Sequence, residues 1–116
     1  MESIYVEVKF CDWNIIVAAV YIPPSSGLNA YENFFYDLES IYDRPPGSYY
    51  IIAGDYNLPN IVWKGDDIHA NLPLISSEYD VISSSCAYMN LKQKNKIPNA
   101  RNVFLDLVFS NIEDLN

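Results

Sequence analysis

The chain has 116 residues, half of them apolar and 15% aromatic, and a formal net charge of −8 from 15 acids against 7 bases. That length accommodates one domain or part of one and excludes a second core, while the apolar content argues against disorder. An acidic surface repels nucleic acid and anionic membranes at long range, which counts against passive DNA coating but not against an enzyme that meets phosphate through a bound cation.

Ile4, Val6, Val8 and Phe10 alternate with Tyr5, Glu7 and Lys9, which predicts a half-buried strand. Asp12, Trp13 and Asn14 read as a turn. Asn14 to Tyr21 is then a near-continuous, β-branched apolar run, suited to a strand buried on both faces. The two segments form a hairpin, and IPPSSG stops the second strand because proline donates nothing to a ladder. Asn29 followed by Glu32 resembles a capping box. Tyr31, Phe34, Phe35, Leu38, Ile41 and Tyr42 recur at helical spacing, so Asn29 to about Tyr42 is an amphipathic helix, ended by DRPPGS.

Tyr49 to Ala53 is a short apolar strand running directly into GDYNLPN. Residues 58 to 72, rich in Pro, Asn, Asp and Gly, read as loop, and His69 within them as a solvated surface histidine. Leu74 to Cys86 reads as a weaker helix, Met89 to Gln93 as a short strand, and Val103 to Phe109 as a final buried strand. The order β-β-α-β-α-β-β indicates a layered α/β fold without an internal domain boundary. A first strand starting at Met1 and open edges on both sides of the sheet suggest a piece of something larger.

Cys11 and Cys86 lie far apart, with no CxxC and no nearby histidine, so neither a zinc site nor a disulfide framework is expected. The first residues form no signal peptide, and no stretch has the roughly 18 uninterrupted apolar residues of a membrane helix. An intracellular chain, nuclear or cytoplasmic and without a membrane partner, is the expectation. Lys92, Lys94, Lys96 and Arg101 fall in one acid-free stretch. They form either a solvated loop or a local patch that steers phosphate.

The chemistry concentrates at Gly54-Asp55-Tyr56-Asn57, at the carboxyl end of a strand, where sites in α/β sheets form. Asp55 and Asn57, two apart, point the same way if the backbone stays extended. A carboxylate beside an amide suits phosphodiester hydrolysis: one activates water or holds a divalent ion, the other orients by hydrogen bonding. A plain strand-ending turn uses the same residue types. Tyr21 ends the earlier strand, and Asp106 sits between Leu105 and Leu107, where a carboxylate is costly unless paired or turned to solvent.

The series VYIPP, a helix, IIAGDYNLPN, QKNKIPNAR and FLDLVFSN resembles the endonuclease domains of insect-type non-LTR retrotransposons, within the DNase-I-like endonuclease/exonuclease/phosphatase superfamily. The resemblance covers nearly the whole chain. It implies a partial two-sheet α/β sandwich, the central fragment of a single domain, and a Mg2+-dependent enzyme that nicks DNA to free a 3′-hydroxyl for reverse transcription. It implies that Tyr21 contacts the scissile phosphate and that Asp55 activates or positions the attacking water, with Asp55 also a candidate metal ligand. Asn57 would be its partner amide, and Asp106 would orient a catalytic histidine.

Against the family pattern, the main metal-binding glutamate and the Ser-Asp-His element are absent, and Val103 stands where a Ser or Thr is usual. The isolated chain is therefore expected to be nearly inert. A degenerate, non-catalytic remnant or binding module is the alternative, and a phosphoester phosphatase a more distant one.

Overall fold

The computed structural model describes residues 1–42, 47–58, 61–64, 67–70, 77–101 and 103–113, with backbone pairing alone for 61–64 and 67–70. In chain order the elements are β1 (Glu2–Phe10), β2 (Trp13–Tyr21), α1 (Leu28–Tyr42), β3 (Tyr49–Asp55), β4 (Ile61–Lys64), β5 (Asp67–Ala70), α2 (Ser77–Met89), β6 (Lys92–Gln93) and β7 (Asp106–Ser110). Five strands form one sheet in the order β1-β2-β3-β7-β6, and β4 and β5 form a separate antiparallel pair. The expected α/β class holds. No helix among the described residues is long and apolar enough to cross a membrane.

The order departs from expectation at β4 and β5, which occupy residues read as loop. Their four-residue strands mix apolar, charged and histidine positions and carry no clear period. His69 pairs with Val62 in backbone register; its burial lies outside the described residues. The hairpin turn also moves, from Asp12–Asn14 to Cys11–Asp12, with Cys11 at φ 53 and Phe10 paired with Trp13. The first helix starts at Leu28, so Asn29 lies inside its first turn rather than capping it. The last strand begins only at Asp106.

Alternation assigns the faces. On β2, β3 and β7 the residues Ile16, Ala18, Val20, Tyr50, Ile52, Leu107 and Phe109 are buried beneath the helices. From α1 the buried side chains are Tyr31, Phe34, Phe35 and Leu38, the spacing of one helical face. Ile82, Cys86 and Met89 face inward from α2. Aromatic rings fill the centre: Tyr56 lies 5.3 Å from Phe109, 6.0 Å from Phe34 and 6.4 Å from Phe35, mostly edge to face.

The face of β1 is reversed from a simple half-buried reading. Antiparallel pairing aligns Ile4, Val6 and Val8 with Ala19, Val17 and Ile15, on the side of the sheet without helices. Those three β1 residues stay exposed, and Tyr5 is the β1 residue that stacks over Phe34. β2, read as buried on both faces, buries one face only.

Parallel pairing of β2 with β3 brings Val20 against Gly54. A Cβ on Gly54 would fall 1.9 Å from the Val20 carbonyl oxygen, a separation that no side chain survives. Gly54→Ala is expected to destabilise the fold by about 3 kcal/mol or more, read as a lowered midpoint in chemical denaturation followed by far-UV circular dichroism.

Candidate active site

The register of β2, β3 and β7 brings the sequence-predicted residues into one line. Tyr21 pairs with Asp55 across the parallel ladder, and Asp55 with Asp106 across the antiparallel one. Paired residues share a face, so the phenol and both carboxylates emerge side by side, at the usual spacing of roughly 5 Å between strands. Tyr21 and Asp106 are exposed and Asp55 is half-buried. The ladder continues just past this line, where the Ile22 amide donates to the Asp55 carbonyl at 2.9 Å and the Tyr56 amide to the Leu105 carbonyl at 2.9 Å.

Asn57 joins them by a different route from the one expected. The backbone does not stay extended: Tyr56 turns inward to full burial, and Asn57 sits at φ 50, in the left-handed region that asparagine tolerates. Its amide nitrogen donates to Asp55 Oδ1 at 3.0 Å, and its Nδ2 donates to the Ile22 carbonyl at 2.6 Å. The side chain therefore straps the exit of β3 to the exit of β2, while the backbone amide of the same residue holds one oxygen of Asp55. Tyr31 supports the same turn from below, its hydroxyl donating to the Tyr56 carbonyl at 2.6 Å.

Sequence reasoning missed two features of this rim. Glu2 is the register partner of Tyr21, which adds a third carboxylate to the line; only the position of the β1–β2 turn reveals it. Gln93, almost fully buried, organises the segment that returns to Asp106. Its Oε1 accepts from the Asn95 and Val108 amides at 2.6 and 3.2 Å, and its Nε2 donates to the Asn95 carbonyl at 2.8 Å. Asn95 Nδ2 in turn donates to the Asp106 carbonyl at 2.6 Å. At Val103, where a hydroxyl is usual, the backbone amide donates to Asn99 Oδ1 and the carbonyl accepts from the Asn99 amide.

The four basic residues lie on and beyond β6, which runs antiparallel along β7. Lys92 and Lys94 line a cavity of about 420 Å³ with Asn90, Ser110, Asn111 and Glu113, at the end remote from Asp106. Lys96 and Arg101 are exposed in the segment leading to β7. Cys11 and Cys86 are both free, the first exposed and the second buried.

Among the described residues no three His, Cys, Asp or Glu side chains gather as a ready-made metal cage. Asp55 and Asp106 are nonetheless like charges placed opposite one another, an arrangement that costs free energy and that a cation relieves. Two carboxylates with water and substrate phosphate completing the shell suit Mg2+, which seldom takes an all-protein cage.

The chain is a mixed α/β sheet with helices on one face and with a tyrosine and two carboxylates on its rim. The endonuclease domain of TRAS1, a telomere-specific non-LTR retrotransposon, is similar to it at a TM-score of 0.59 and 14% identity, over 92% of this chain and 49% of that one. The chain thus spans about half the length of that domain, and at this identity the likeness is one of fold. The endonuclease-reverse transcriptase family model matches residues 15–116, and the chain belongs to that family. No curated protein matches it.

Two predictions follow from the rim and its support. Asn57→Ala loses both the tolerated backbone and the strap and should cost about 1–3 kcal/mol; Asn57→Gly, at ease at this φ, should cost less in the same denaturation experiment. Burial, aided by the Glu78 and Asp55 charges, pushes the Tyr31 phenol up to about 12 from 10.0, and burial pushes the Cys86 thiol up to about 12 from 9.0. Above pH 9 the unfolded chain releases these protons before the folded one does. Stability should therefore hold through neutral pH and fall progressively between pH 9 and 12, as measured by urea unfolding across that range.

Proposed function

We propose that this is the central part of a DNA endonuclease domain that uses Mg2+ to nick one strand of target DNA, the freed 3′-hydroxyl then priming reverse transcription. The observation that carries the reading is the line Tyr21–Asp55–Asp106 across three strands, with Asn57 strapped to it. Such a nuclease would work inside the cell, in the nucleus or the cytoplasm.

In this reading Tyr21 donates its phenolic hydrogen to a non-bridging oxygen of the scissile phosphate. Asp55, oriented by the Asn57 amide, accepts a proton from the attacking water. The water oxygen bonds to phosphorus as the bond from phosphorus to the 3′ oxygen breaks, and the electron pair leaves with that oxygen. Asp55, with Asp106 adjacent, would hold Mg2+, which would supply positive charge to the phosphate. Lys96 and Arg101, on the segment entering β7, are placed to meet neighbouring backbone phosphates, and Lys92 and Lys94 those farther along.

The leaving oxygen also needs charge stabilisation, the part a histidine held by Asp106 plays in related enzymes. The one histidine of this sequence, His69, lies on β5, in the other sheet. Loss of such a group typically costs on the order of 10²–10³ in rate, so the 116-residue chain alone should turn over very slowly.

A supercoiled-plasmid nicking assay tests the proposal. Slow, Mg2+-dependent conversion to the open circle, abolished by chelation and reduced by about 100-fold or more in Asp55→Ala, is the expected result. Nicking that survives Asp55→Ala, or the absence of any Mg2+-dependent cleavage or DNA retention, would favour a non-catalytic remnant.

A further inference from the structure

Tyr31 enters the core from the first turn of α1, on the same buried face as Phe34 and Phe35. A phenylalanine would give a similar packing volume. What tyrosine adds is a buried hydroxyl, which is costly unless it finds a partner. That hydroxyl donates to the Tyr56 carbonyl at 2.6 Å. Burial foremost, then the charges of Glu78 and Asp55, pushes the phenol up to about 12. It therefore remains a donor throughout the neutral range.

The Tyr56 carbonyl and the Asn57 amide belong to one peptide unit, which is planar and in its trans form directs the two groups oppositely. One end of this unit is held by Tyr31, and the other donates to Asp55 Oδ1 at 3.0 Å. The groups on either side are anchored separately. The Tyr56 amide donates to the Leu105 carbonyl at 2.9 Å, and Asn57 Nδ2 to the Ile22 carbonyl at 2.6 Å. Between those anchors the peptide plane is the part left to rotate. A half-turn would carry Asn57 from φ 50 to the commoner negative region. It would also turn the amide away from Asp55 and set a carbonyl dipole against the carboxylate. A hydrogen bond to the carbonyl opposes that rotation and polarises the amide of the same unit, strengthening its donation.

We infer that Tyr31 is a positioning residue for Asp55: its hydroxyl fixes the plane of the Tyr56–Asn57 peptide, so that the Asn57 amide stays aimed at the carboxylate. Tyr31 is buried beneath the rim and acts only through that peptide. Helix α1 thus has a polar link to the site besides its apolar packing. The consequence for turnover rests on the nuclease reading proposed above; the consequence for the geometry of the rim does not.

Tyr31→Phe in the 116-residue chain tests the inference, with Tyr36→Phe, on the exposed side of the same helix, as control. By NMR the Asn57 amide of Tyr31→Phe should exchange with solvent about tenfold faster, the effect of one lost hydrogen bond, and its proton signal should move upfield. The amides of Ile52 and Phe109 should keep their protection, which separates a released peptide from a general loosening of the fold. Tyr36→Phe should change none of these. In the plasmid assay with Mg2+, Tyr31→Phe should lower kcat by about tenfold at an unchanged KM. In the wild type the Tyr31 hydroxyl proton should itself be observable, exchanging slowly with water. A hydroxyl proton lost to rapid exchange overturns the inference, whether or not the variant folds. So does an Asn57 amide indifferent to Tyr31→Phe, or one that loosens only in step with Ile52 and Phe109, or an undiminished kcat where the wild type nicks. A wild type that does not nick sinks the nuclease reading instead, and amide exchange still decides the role of Tyr31.

Discussion

Where β2 and β3 run side by side, the Val20 carbonyl approaches Gly54 so closely that no β-carbon fits between them. This contact sets the register of the parallel ladder at the point where it ends, and through that register it sets Tyr21 beside Asp55. A slip of one residue would send every side chain of the slipped strand to the opposite face. The phenol would then enter the aromatic core and leave the carboxylate alone on the rim. The glycine acts by what it lacks.

Below the rim, packing and polar supports hold the geometry together. Tyr56 is fully buried among Phe34, Phe35 and Phe109, which fixes the residue between Asp55 and Asn57 and forces the chain into its left-handed turn. The Tyr56 hydroxyl has no hydrogen-bond partner among the described residues, and burial raises its pKa well above the ordinary value. The ring is therefore retained for its volume, with its polar end desolvated. At the far end of the sheet, Asn111 accepts from the Tyr50 amide and donates to the Ser48 carbonyl, so β3 is pinned at both of its ends.

Much of this was legible in the residues themselves. The spacing of Tyr31, Phe34, Phe35 and Leu38 announces α1, and the termination of apolar strands by Tyr21 and by Gly54-Asp55 places the rim. Other features were opaque for physical reasons. Alternation in β1 separates two faces but does not say which one the helices cover, and here they cover the side of Tyr5. Asn57 reaches the rim through a positive φ that residue spacing does not disclose. The short strands β4 and β5 have no period long enough to read. Clustering of four cations in sequence left a solvated loop and a phosphate-steering patch both open, and the short β6 carries only Lys92 of the four.

The antiparallel union of β3 with β7 joins the most distant partners in the sheet. The β1–β2 hairpin closes over a two-residue turn and β2–β3 over a single helix, whereas Asp106 reaches Asp55 only after β4, β5, α2 and β6 have intervened. Loop-closure entropy grows with the length enclosed. The second aspartate is consequently attached through the entropically most demanding pairing in the sheet. An assembled β1–β2–β3 unit would carry Tyr21, Asp55 and Asn57 as a partial site, and completing it requires everything that follows.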